Sequence, residues 1–133
     1  MIHNYLARVY SQEEKFELSW AMLEKTRLDI SPASSVSEQL ELTFTHAILA
    51  GNEQHWDEAW KLFDQADHMA SETGNLWIKA LISSTRAEVL LKRGSTGDRA
   101  EAREQLNLVL DFYQHSQLPA WVEFVQNQIS KLG

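Results

Sequence analysis

Five histidines, nineteen acidic side chains and no cysteine make up most of the reactive inventory of this 133-residue chain. The histidines are His3, His46, His55, His68 and His115, and no two stand three or four apart. Two ligands on one helical face need that spacing, so the pattern supplies no zinc pair. His46 is read instead as a hydrogen-bonded core histidine. Absence of Cys excludes disulfide frameworks and thiolate metal sites. The acidic pairs Glu13-Glu14 and Asp57-Glu58 fall in expected first turns of helices, where the helix dipole favours negative charge without any catalytic role. A glycosidase-like carboxylate pair needs a cleft, and nothing in the chain announces one. The GSTG run at 94–97 is too short for a phosphate loop and is followed by Asp98, whose charge repels phosphate. Lys92, Arg93, Arg99 and Arg103 form the one local basic concentration; Lys92 and Arg93 fit the end of a helix. No catalytic constellation results, so the chain reads as a non-enzyme with no cofactor and no metal.

The elements that carry these residues are helical. With 44% hydrophobic residues, two prolines and five glycines, the chain can bury a core but has too few turn residues for a sandwich or barrel. No run of 18 apolar residues is present, and MIHNYLARVY lacks the layout of a signal peptide, so the expectation is a cytoplasmic protein that does not enter a membrane. A net charge of -7 argues against direct nucleic-acid binding, which depends on neutralising phosphates. The charge is uneven: residues 1–72 carry 13 acids and 5 bases, and residues 73–133 carry 6 acids and 7 bases. That leaves either an ordinary solvated surface or a polarised docking surface.

The organising stretch is WDEAWKLFDQADHMA at 56–70. Trp56, Ala59, Phe63, Ala66 and Ala70 recur at steps of three and four and so share one helical stripe, with alanines making a groove between aromatic ridges. Phe16, Ser19, Leu23 and Thr26 repeat the steps 40 residues earlier; Arg99, Ala102, Leu106 and Val109 repeat them 43 residues later. The punctuation travels along, since Ser11, Gly51 and Gly94 each stand eight residues before the small residue. A stripe and a turn residue at fixed offset and a period near 40 describe stacked helix hairpins.

Seven helices follow in order. Ile2, Leu6 and Val9 mark the first. The capping boxes Ser11/Glu14, Ser35/Glu38 and Asp98/Glu101 open helices near Gln12–Leu28, to about Ala50, and near Arg99–His115. Gly51-Asn52 stops the third helix, and the fourth runs from about His55 to Ser71. Asn75 caps a helix over Leu76–Arg93, patterned by Trp77, Ala80, Leu81, Ser84, Ala87, Leu90 and Leu91. Pro119 starts the last, whose Trp121, Val122, Phe124, Val125 and Ile129 suit it to cover a bare apolar face. Trp56, Trp77 and Trp121 are expected to pack between hairpins, with Trp20 and Trp60 half exposed.

WDEAWKLFDQADHMA after Gly51, and AEVLLKRG followed by AEAREQLNLVL, resemble the tetratricopeptide repeat, of the long-spaced type found in maltose-activator-like regulators and signalling ATPases. The resemblance is good over residues 36–133 and weaker over 1–30, where Ser19 and Thr26 stand for the two alanines. It implies one all-α domain over 1–133: a right-handed solenoid of three antiparallel hairpins (about 1–30, 34–72 and 75–115) with a capping helix at 119–132. It also implies a scaffold that binds a protein or peptide on its concave face and has no intrinsic catalysis. Common register of Ser11, Gly51 and Gly94 puts Tyr5, Arg8 and Val9 on that face, then Glu38, Glu41, Thr45 and Leu49, then Leu81, Ser84, Glu88 and Lys92. A small-effector sensor domain of a regulator, and a homodimer formed through the N-terminal hairpin, are the alternatives.

Overall fold

The computed structural model describes residues 13, 15–29 and 36–132. Within them lie six helices: α1 (Phe16–Asp29), α2 (Val36–Asn52), α3 (Trp56–Thr73), α4 (Leu76–Arg93), α5 (Asp98–His115) and α6 (Pro119–Ser130), with no strand among the described residues. The chain is all-α, as its periodicity requires. The helix expected around Ile2–Val9, with Ser11, Glu14 and Ser35 of two capping boxes, falls outside the described residues. The chain divides into two compact units, residues 1–74 and 75–133.

In the first unit α2 packs on α3 and, on another side, on α1. Leu40, Phe44 and Ala47 of α2 are buried, as are Ala59, Phe63, Ala66 and Ala70 of α3, and the Phe44 and Phe63 rings meet at 6.5 Å. These four α3 residues, each 0% exposed, are the stripe read from the sequence apart from Trp56, which is half-buried. Burying a ring such as Phe63 contributes about 2–3 kcal/mol. Leu23 of α1 lies in one apolar cluster with Leu49 of α2, flanked by Trp20, Met22 and Leu42. Ser19 is fully buried where the later copies carry Ala; its hydroxyl donates to the Lys15 carbonyl at 3.1 Å, so its own helix satisfies it.

In the second unit α5 packs between α4 and α6. Ala102, Leu106 and Val109 of α5 are buried, with Ala80, Ile82, Ala87, Val89 and Leu90 of α4 and Val125 of α6. The expected inward set is only partly right. Trp77, Leu81 and Leu91 of α4 and Trp121 and Phe124 of α6 are each 40% exposed or more, while Ile82, Ser83 and Val89 are buried instead. Adjacent residues of a helix point about 100° apart, so a one-residue error in the stripe exchanges a buried side chain for an exposed one.

Three ends differ from expectation. α1 begins at Phe16 rather than near Gln12. α2 runs through Gly51 to Asn52, because the left-handed residue of that turn is Gln54 (φ 64°), and the His55 amide donates back to the Ala50 carbonyl at 2.9 Å. Asp98 is not the cap of α5: Gly97 holds that place at φ 87°, with Asp98 inside the helix. Asn75 does cap α4, accepting from the Ile78 amide at 3.1 Å, and Gly74 and Gly94 end α3 and α4 in the left-handed conformation.

Placing an arginine at Ala59 or Ala102 overpacks a closed helix contact and buries a charge, so either variant should lose several kcal/mol (about 3 or more) in a denaturant melt. Gln54→Gly should instead raise the melt by about 0.5–1 kcal/mol by relieving a left-handed non-glycine residue.

Candidate functional site

The residues assigned to a binding face divide between the two units. In the second unit Leu81, Ser84, Glu88 and Lys92 fall at steps of three and four along α4 and form one stripe. Leu81 is 41% exposed, Ser84 is half-buried, and Glu88 and Lys92 are exposed. The stripe thus offers an apolar end, a hydroxyl and two opposite charges. Desolvation pushes the Glu88 carboxyl above the ordinary value near 4.5, so it gives up its proton less readily than a free surface acid.

In the first unit Glu38 is exposed and Glu41 half-buried, whereas Thr45 and Leu49 are both 0% exposed. Neither offers a surface to a partner in this structure. For Leu49 the reason is α1, which brings Leu23 onto it. α2 is covered on two sides, and a single-stripe reading of its sequence finds only one of them. Tyr5 and Arg8 lie outside the described residues.

Around the α1 contact is a polar network that the sequence did not announce. The Trp20 indole donates to Glu53 Oε2 at 2.7 Å, and its ring meets His46 edge-on at 5.3 Å. His46 Nε2 lies 3.0 Å from Glu58 Oε1 and, the carboxylate being an acceptor only, donates to it. His55 Nδ1 stands 3.8 Å from Glu53 and 3.9 Å from Glu58. His46 is thus a hydrogen-bonded histidine at a helix interface, and the Trp20–Glu53 and His46–Glu58 bonds span 33 and 12 residues of sequence, beyond the reach of local pattern reading.

The second unit carries an aromatic group. Trp77 of α4 meets Phe112 and Tyr113 of α5 at 5.9 Å and Trp121 of α6 at 6.2 Å. Phe112 and Trp121 each also meet Tyr113 at 5.7 Å, so the four rings form one continuous group. A pocket of about 170 Å³ beside them is lined by Leu76, Lys79, Ala80, Ser83, Leu108, Val109 and Phe112. It is smaller than a typical small-molecule site of roughly 300–1,000 Å³. A shallower depression of about 540 Å³ lies between the end of α5 and the start of α6, lined by Leu118, Pro119 and Val122 with polar neighbours.

The basic concentration is not a free patch. Asp98, 3% exposed, accepts from Arg93 Nη2 at 2.6 Å, Arg93 Nε at 2.8 Å and the Ser95 amide at 2.8 Å. The Arg93 hydrogen bonds hold its carboxyl below the ordinary value near 3.8, against the opposing effect of burial. Arg99 Nη1 donates to the Leu132 carbonyl at 3.1 Å. Both arginines serve the fold. Among the described residues no three His, Asp or Glu side chains converge to hold a metal ion, and no helix is long and apolar enough to cross a membrane. No protein-family model, curated protein or solved structure matches the chain.

Asp98→Asn leaves the Arg93 guanidinium without its bidentate partner and should cost about 2 kcal/mol in a denaturant melt. Because the folded Asp98 carboxyl is depressed, its contribution is complete above the unfolded value near 3.8 and disappears as pH falls through the folded one. The variant's melt should therefore depend less on pH on the acid side than the parent's. Glu88 works in the opposite sense: with its folded value raised, stability falls as pH climbs from about 4.5 through that value, and Glu88→Gln should flatten this slope.

Proposed function

We propose that the chain is a tetratricopeptide-like interaction scaffold, its helix pairs stacked as a right-handed solenoid closed by the C-terminal helix, that binds a protein or peptide and has no chemistry of its own. One observation supports this above the others. Ser19, Ala59 and Ala102, each eight residues after Ser11, Gly51 or Gly94, are all 0% exposed, and Leu23, Phe63 and Leu106 four residues further on are 2% exposed or less. A repeat seen first as spacing is thus matched by burial in three helices. That agreement favours a repeated packing unit over a coincidence of composition.

In this reading the α4 stripe receives the ligand. Leu81 supplies an apolar contact, and Glu88 and Lys92 fix its direction. Glu88, exposed on α4, offers its carboxylate to a partner cation, and Lys92 one turn on offers the opposite charge.

Selection from a random peptide library on the immobilised protein, followed by titration, tests the proposal. A selected peptide should bind the Glu88→Ala/Lys92→Ala variant about tenfold more weakly or worse, a loss of roughly 1.4 kcal/mol, with the melt nearly unchanged. Undiminished binding would move the site off α4, and a library that yields no binder would count against a scaffold.

A further inference from the structure

Among the described helices α1 touches only α2, and Trp20 and Leu23 are two of the side chains that hold it there, with Met22 beside them. Trp20 donates its indole hydrogen to Glu53, and Leu23, one turn on, fills the place beside Leu49. The surface beneath is a stripe of α2, Leu42, His46 and Leu49 at steps of four and three, continued by Glu53 in the turn just past the helix end. Such a stripe is an acceptor for one amphipathic helix, and α1 shows what that helix must carry.

The charge of α1 is mismatched to its seat. Residues 36–73 hold eight acidic side chains and one basic one, Lys61, whereas α1 itself has Glu17, Glu24 and Asp29 against Lys25 and Arg27. Two net-negative segments repel, and Glu53 and Glu58 stand at the edge of the contact. We infer that α1 is an internal occupant of a docking groove on α2, displaceable by a partner helix that presents a tryptophan and a leucine three residues apart on a basic face. This rests on the scaffold reading given above and adds the kind of partner and a built-in competitor. It also accounts for Leu49, assigned to the binding face yet fully buried: the covering helix withholds it.

Two labelled peptides test this on the full chain. One is the sequence 16–29; the other is the same with Glu17, Glu24 and Asp29 replaced by lysine. The basic peptide should bind the parent protein and protect the α2 amides while amides 16–29 lose protection from hydrogen exchange. In Trp20→Ala, where the internal occupant is weakened, it should bind about tenfold more tightly, since an occupied groove reduces apparent affinity by the fraction left open. The unmodified peptide should bind that variant more weakly than the basic one does, with the gap closing as salt is raised. If neither peptide binds Trp20→Ala although exchange shows residues 16–29 released, or if the basic peptide binds without altering exchange over 16–29, the inference fails. Neither outcome depends on Glu88 and Lys92, so it stands or falls separately from the α4 stripe.

Discussion

The closeness that two helices can reach is set by the smallest side chains between them, and in this chain that distance is fixed by a few alanines. Ala59, Ala66 and Ala70 on α3 and Ala102 on α5 are entirely removed from water. Around them larger groups, Phe44 against Phe63 in one unit and Leu106 with Val109 in the other, fill the space that the short side chains open. The polar contacts depend on that spacing. His46 reaches Glu58 because α2 and α3 are already close, and Trp20 finds Glu53 because α1 is seated on the same α2.

Much of this was legible in the sequence because small-beside-large at helical spacing is a volume pattern, and volume is what close packing senses. It survives even where identity changes. Ser19 takes the alanine place in α1 by folding its hydroxyl back onto the Lys15 carbonyl, so a polar residue sits in a dry position without an unmet hydrogen bond. The later members of the α3 and α5 stripes were read correctly for the same reason, whereas at their leading ends Trp56 is half-buried and Arg99 exposed. The half-buried state of Trp20 and Trp60 also followed from their places one residue off the stripe.

What the sequence concealed depends on contacts between distant segments. A helix covered on two sides has two apolar stripes, and α2 shows only one clearly, since its second contains His46 and is followed by Glu53 just past the helix end. Thr45 and Leu49 were therefore placed on an open face that does not exist at those positions. Asp98 failed differently. Its place before an apolar run with Glu101 three residues on is a sound capping signature, but Arg93 across the loop offers a bidentate cationic partner, and a carboxylate prefers that to a neutral amide at the helix start. Local preference lost to a stronger bond that only the closed turn makes available.

The Arg93–Asp98 pair spans just five residues, and with the Ser95 amide it ties the end of α4 to the beginning of α5. Closing so short a loop sacrifices little chain entropy and needs no other part of the molecule to be in place. The reversal between these two helices is thus available early, while most of the polypeptide is still searching, and it gives the C-terminal half a nucleus of low contact order. Along a growing chain, this half can begin to organise by itself rather than waiting for a template from the half made before it.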